Sequence, residues 1–320
     1  MISIDLFQSA LIFLLGFLCS IGGFFISFRL AKKMKFYDIA DGDELKIHKT
    51  PIPLTGGFVV FGVLILIAVA AVLLRIEYSA ILPVILAGMA FPFLLGWWDD
   101  VKWKHISQAS PYRKFFLLLA VPLCSALLVS LLGLQFISFP FFAGVIIIAF
   151  FIFVCMNALN YQDGMDGLAG GLCFLSFLGF GAMGILAGDG ALSLAAISGM
   201  GALAGFLACN LPPAKVFLGD SGSYMLGCLL ALLGMRLVQY AGWEMLLATL
   251  LIIGIPIIEG IYTNIRRMRQ GKSIFRGDRS HIYDRLRIRY STRKVLLIHY
   301  GAQSLCIICG VALAQYLLSL

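Results

Sequence analysis

Five aspartates sit where carboxylates are expensive. Asp99 and Asp100 end an apolar run in Gly96-Trp97-Trp98-Asp99-Asp100. Asp163 and Asp166 follow another in Asn157-Ala158-Leu159-Asn160-Tyr161-Gln162-Asp163-Gly164-Met165-Asp166-Gly167, and Asp220 follows a third in Gly219-Asp220-Ser221-Gly222-Ser223. Ionisable groups in or beside hydrocarbon are costly and mark functional sites. Gathered with Gly and Asn in tight turns, such charges repel one another unless a cation intervenes. Mg2+ suits the task, because it takes one or two carboxylates together with substrate phosphate oxygens and water. The pattern predicts a metal–diphosphate site. A plainer reading is solvated loop acids and helix caps, with Asp220 as the N-cap of the apolar run that follows it.

The elements that must hold these acids are membrane helices. The chain has 320 residues, 61% hydrophobic and 12% charged, with mean hydropathy +0.99, against roughly 45–50% apolar and about 25% charged in a soluble domain. Apolar residues fall in ten blocks near the length of about 20 residues that crosses a bilayer as a helix. The third runs from Ala80 to Trp98, the fifth from Phe139 to Met156, the seventh from Ala191 to Leu211, the eighth from Ser221 to Val238 and the ninth from Met245 to Ile261. The expected fold is all-α: a polytopic bundle of about ten transmembrane helices forming a single integral membrane domain over residues 1–320.

Positively charged loops remain in the cytoplasm. With ten crossings, 22 of the 24 Lys and Arg residues fall on one side, and only Arg75 and Arg236 fall opposite. Both termini are then extracytoplasmic, and all five aspartates emerge on the cytoplasmic face. The net charge of +8 is that of a basic rim beside anionic lipid heads and needs no nucleic-acid partner. The eight cysteines lie in or beside apolar blocks and read as small hydrophobes rather than metal or redox groups.

Five stretches occur in the order found in one enzyme family: Lys46-Ile47-His48-Lys49-Thr50-Pro51-Ile52-Pro53-Leu54-Thr55-Gly56-Gly57, the Asp99-Asp100 pair, Asn157 to Gly171, Asn210 with Val216 to Ser223, and the basic loop holding His281. The chain resembles the polyprenyl-phosphate N-acetylhexosamine-1-phosphate transferases, which begin lipid-linked glycans at the inner, cytoplasmic membrane of bacteria and include the phospho-N-acetylmuramoyl-pentapeptide transferases.

The resemblance implies a UDP-N-acetylhexosamine donor, an undecaprenyl or other polyprenyl phosphate acceptor, and Mg2+ with Mn2+ as a substitute; it allows a homodimer. It implies a metal site at Asp220 with Asn160. Asp99 and Asp100 would serve the lipid phosphate, one of them as a candidate base, with Asp163 and His281 also catalytic. Asn157, Asn160 and Asp166 would hold nucleotide and diphosphate, and Asn210 and Phe217 would lie near the uridine. Lys46, His48, Lys49 and Arg279 are charged for phosphate contact, although the first three equally suit an ordinary positive loop. Thr55-Gly56-Gly57 either lets the backbone approach a ligand or begins the second span. One departure concerns the last loop, Asp278-Arg279-Ser280-His281-Ile282-Tyr283-Asp284. Many relatives carry several histidines there, whereas this chain has one; with the Pro51-Ile52-Pro53 stretch, the resemblance then favours UDP-N-acetylglucosamine or a related 6-deoxy or epimeric sugar over the muramoyl pentapeptide donor. A transporter, the reading from another class, would place its ionisable groups near the bilayer midplane.

Overall fold

The computed structural model describes residues 6–39, 50–102, 111–136, 139–271 and 278–319. Lys46, His48 and Lys49 lie outside the described residues. The described residues are helical almost throughout. The helices are α1 (Leu6–Met34), α2 (Gly56–Leu73), α3 (Ile81–Lys102), α4 (Pro111–Leu131), α5 (Phe141–Gln162), α6 (Leu168–Ala187), α7 (Gly190–Asn210), α8 (Gly219–Ala241), α9 (Met245–Ile252), α10 (Gly254–Arg269), α11 (Ile282–Arg287) and α12 (Thr292–Leu318). A two-residue antiparallel pair joins β1 (Tyr37–Asp38) to β2 (Ile52–Pro53), with Tyr37 opposite Pro53 and Asp38 opposite Ile52.

Among the described residues nine helices are long and apolar enough to cross a membrane, and α9 with α10 makes a tenth if the bent pair counts as one span. α8 is the axis of the bundle. Of its most apolar window 94% is buried, against 28% for α1 and for α12. In lipid, helices associate by close packing more than by hydrophobicity, so small residues let backbones meet. α8 follows that rule. A Cβ on Gly57 of α2 would stand 2.5 Å from the Gly222 nitrogen, and one on Gly96 of α3 would stand 2.2 Å from the Asp220 carbonyl oxygen. Of the two sequence readings of Gly56-Gly57, the structure therefore shows a helix start in which backbone meets backbone. Gly56 N–H donates to the Phe217 carbonyl and Gly57 N–H to that of Leu218, each at 3.0 Å. Cysteine burial is mixed: Cys155, Cys173 and Cys228 are buried, while Cys124 and Cys309 are exposed.

The ninth apolar block is not the straight span its hydropathy suggests. α9 and α10 meet at Ile253 with an 81° bend, and eight residues of α9 rise only about 12 Å. Pro256 explains the break. It has no N–H to give the Ile252 carbonyl one turn back, and a freed carbonyl in hydrocarbon must find another donor. Gln303 of α12 supplies it: its Nε2 donates to Ile252 O at 2.6 Å while its Oε1 accepts from Ile255 N at 2.9 Å. Ser176 of α6 donates to the same carbonyl at 2.9 Å.

The two ends of the bundle are distinct. α1 runs parallel to α7, with Ser20 donating to Ala202 O at 2.9 Å and Phe24 packing on Phe206, and α7 ends at Asn210 beside the aspartates. α12 starts at that same end, where Tyr300 donates to Gly167 O at 2.6 Å, and descends until Gly310 meets the Ala248 carbonyl of α9. The outer ends of α1 and α12 thus both lie at the end opposite the acids. There, Asp189 caps α7 by accepting from Ala191 N at 3.0 Å and Leu192 N at 3.2 Å, and Arg236 of α8 grips the same carboxylate at 2.7 and 3.1 Å.

Candidate active site

At the other end a cavity of about 490 Å3 opens between the first turn of α8, the turn after α5, the α7–α8 connection and the loop before α11. Asp100, Asp163, Asp166, Asn210, Phe217, Asp220 and Arg279, all singled out in the sequence, line it. Asp38, Thr50 and Arg287 line it too; Thr50 belongs to the Lys46-to-Gly57 stretch, while Asp38 and Arg287 are not among those singled out. The strand pair brings Asp38 and Thr50 to the wall.

Asp220 stands in the first turn of α8, where its own side chain is not the cap. Asp100 performs that role from α3. Its Oδ1 accepts from Asp220 N at 3.0 Å and its Oδ2 from Ser221 N at 3.1 Å. The partial positive charge at a helix N-terminus favours a carboxylate there. The Asp220 carboxylate is thereby free of the capping task; Asn160 Nδ2 donates to its Oδ1 at 2.9 Å and to Ser223 Oγ at 3.0 Å, and the Asp99 carboxyl approaches it from α3. Asn160 lies one shell behind the cavity wall.

Asp99 departs from its neighbour. Adjacent helical residues do not share a face, and Asp99 lines not the cavity but a narrow cleft beside it, with Leu95, Trp98, Lys114, Leu117, Leu118 and Tyr224, while its carboxyl stays against that of Asp220. Lys114 Nζ and Tyr224 Oη both donate to Asp99 Oδ2, the latter at 3.2 Å. The pair read as one unit in the sequence is split between two openings, and Lys114 of α4 is the ion-pair partner of Asp99.

The turn after α5 is held from three sides. Asp166 Oδ2 accepts from Ala214 N at 3.0 Å. Asn210 accepts from Gly167 N at 2.9 Å and donates to Val216 O at 2.8 Å, so it ties α6 to the α7–α8 connection. Arg279 Nη1 donates to Gly164 O at 3.3 Å and lies 3.5 Å from Asp284. Asn157 donates back to Phe153 O at 2.8 Å within its own helix and is not on the cavity wall.

His281 is buried and does not line the cavity. Its Nδ1 faces Glu259 Oε1 at 3.1 Å and its ring stacks on Tyr283. Glu259, a carboxylate inside the ninth apolar block, escaped the sequence reading because hydropathy hides one acid among many apolar neighbours. Arg266 and Arg267 are likewise no lipid-surface patch. Both are buried, and Arg266 holds Asp278 at 2.7 and 2.9 Å while Arg267 holds it at 3.1 Å. The Arg266 and Arg267 guanidinium groups keep the Asp278 carboxyl well below the usual carboxylate range. Burial pushes Asp284 and Tyr283 up.

Among the described residues no three His, Cys, Asp or Glu side chains converge as a ready metal cage. The oxygens of Asp100, Asn160 and Asp220 are nonetheless hard donors at the cavity end of α8. Such a set suits a cation that completes its shell with phosphate and water.

The glycosyl transferase family 4 model matches residues 82–238, a stretch that holds all five aspartates. The phospho-N-acetylmuramoyl-pentapeptide-transferases of Staphylococcus aureus strains JH9, Newman and N315 are each 30% identical over 225 residues, covering 65% of this chain and 70% of the relative. The chain is a membrane-spanning phosphosugar transferase, and it belongs to the polyprenyl-phosphate N-acetylhexosamine-1-phosphate transferases of glycosyl transferase family 4.

Proposed function

We propose that the chain transfers an N-acetylhexosamine-1-phosphate from a UDP-sugar to undecaprenyl phosphate at the cytoplasmic face of the inner membrane. An oxygen of the lipid phosphate attacks the β-phosphorus, the bond to the bridging oxygen breaks, and UMP leaves with that oxygen. The product is a lipid diphosphate sugar. The observation that carries this reading is the single cavity wall on which Asp100, Asp163, Asp166 and Asp220 meet Asn210, Phe217 and Arg279.

Mg2+ held at Asp220, with Asn160 beside it, would neutralise the charge that develops on the diphosphate. The remaining work falls to the chain, since phosphoryl transfer depends mostly on positioning and electrostatics. Phe217 and Asn210 offer an apolar face and an amide for the uracil end. Arg279 faces the diphosphate, and Asp163 and Asp166 frame its turn. Asp100 braces the first turn of α8, so that the Asp220 carboxylate keeps its place as the donor enters. Asp99 and Lys114 lie on the acceptor side, in the cleft between α3, α4 and α8. A phosphate monoester with a second pKa near 6 is largely ionised at neutral pH, so the attacking oxygen needs guidance more than deprotonation.

The test is direct. Purified protein in detergent, given undecaprenyl phosphate and a panel of UDP-sugars, should release UMP only with both substrates and a divalent cation. Silence with every donor would overturn the reading. The names of the relatives favour a second donor, UDP-N-acetylmuramoyl-pentapeptide, and the same panel separates it from UDP-N-acetylglucosamine.

A further inference from the structure

Glu259 of α10 is 1% exposed and His281 6% exposed. A carboxylate so deep stays charged only when several donors hold it. Three do. Oε1 accepts from Thr263 Oγ1 at 3.1 Å and from Ile282 N at 3.1 Å, and it faces His281 Nδ1 at 3.1 Å. The other neighbour of Nδ1 is Thr263 Oγ1 at 3.2 Å, whose hydrogen is spent on Glu259. With that hydrogen on Glu259, both neighbours present acceptors to Nδ1, and this arrangement assigns the ring proton to that nitrogen.

From His281 the contacts lead toward the cavity. Its ring lies parallel to that of Tyr283, centroids 5.3 Å apart and planes 2° off. The Tyr283 hydroxyl in turn sits where a Cβ on Gly164 would be, 2.0 Å away. Arg279, two residues before His281, donates to the carbonyl of the same Gly164. Gly164 separates Asp163 from Met165 and Asp166, so the loop grips the acidic turn by its backbone oxygen and by its missing side chain.

We propose that Glu259 and His281 form a positioning pair. The buried carboxylate holds the imidazole through Nδ1 and the start of α11 through the Ile282 amide. Together they press Tyr283 and Arg279 onto the Asp163–Asp166 turn and fix that wall of the cavity. His281 acts through this bond and through Tyr283, not by touching the donor. The activity readouts rest on the transferase reading above.

Asparagine and glutamine separate the two nitrogens of the ring, because the Asn amide nitrogen overlays Nδ1 and that of Gln overlays Nε2. His281→Asn should keep at least about tenfold more turnover than His281→Gln, roughly 1.4 kcal/mol of transition-state stabilisation. The loss in His281→Gln should fall on donor KM as well as kcat. Glu259→Gln combined with His281→Gln should be no worse than the poorer single variant, as expected for two residues acting as one unit. Hydrogen exchange at the Ile282 amide gives a readout that needs no substrate: protection should survive in His281→Asn and fall in His281→Gln. Greater activity in His281→Gln than in His281→Asn would make His281 a substrate contact through Nε2 and overturn the pair. Equal loss in both, no loss in either, or additive losses with Glu259→Gln would overturn it as well. Wild-type protein that releases no UMP from any donor would instead refute the donor assignment, and amide exchange alone would then decide the pair.

Discussion

Asp189 and Asp220 both stand at the start of a helix in an apolar bundle, one at each end, and they do opposite things. Asp189 is saturated: two backbone amides and both arms of a guanidinium occupy its oxygens. Asp220 gives up the capping task to Asp100 and faces a cavity with Asn160 at its side. Residue type and position along the helix are nearly the same, and the number of donors already spent separates scaffold from site. At the far end a buried acid is neutralised within the fold; at the near end Asp220 faces a cavity that can admit a neutralising ligand.

The sharpest way to break that contrast is to neutralise each acid. Asp220→Asn should lower UMP release by at least about a hundredfold, the scale expected when a key electrostatic group is lost from a transition state, with little change in thermal unfolding in detergent. Asp189→Asn should do the reverse. Stranding Arg236 costs on the order of 3 kcal/mol of stability, while turnover per folded molecule stays within about twofold of wild type. If Asp220→Asn melted the bundle and kept its rate, the two ends would have to change places.

Next come the paired acids of α3. Asp100→Asn should remove one of two capping acceptors of α8 and depress turnover by roughly tenfold or more, while UDP-sugar binding, read by calorimetry, changes less. Asp99→Asn should raise the KM for undecaprenyl phosphate more than that for the donor. Loss of donor binding in Asp99→Asn would bring its cleft into the nucleotide site.

The basic loop yields smaller effects that grade by burial. Arg279→Ala should cost about tenfold in turnover, measured as UMP release at saturating acceptor. Arg267→Ala, which frees one ligand of Asp278 and uncovers the Tyr161 ring, should lower stability by about 1–2 kcal/mol. Exposed Arg269→Ala should change neither by more than about 0.5 kcal/mol. A uniform small loss at all three would reduce the loop to an attraction for anionic lipid.

Hydropathy and charge made the bundle legible, because membrane spans are set by length and composition, and the placing of the acids at one end followed from counting spans. The bend at Ile253 was present as Gly254 and Pro256, but its rescue by Gln303 lies 48 residues from the Ile255 amide it accepts from, beyond any local pattern. Asp99 and Asp100 looked like a unit because they are adjacent in the chain, although helix geometry alone sets them on different faces. Asp38 reaches the cavity through a two-residue strand pair too short to leave a periodic signal. Glu259 and His281 find each other across 22 residues, and neither announces the other in sequence.

The Asp100 cap has a consequence for how the molecule is made. Its carboxylate serves amides that follow it by 120 and 121 residues, so α3 is synthesised well before the helix it will close. At about 5–20 residues per second, that acid is made roughly 6–24 s before the amides it caps, while α4 to α7 are laid down. Completion of the first turn of the central helix closes the acidic side of the chamber, and the wall that carries Arg279 and Arg287 follows once the segment around α11 is made. A chain that stalls before α8 has spans enough to sit in the bilayer and no site at all.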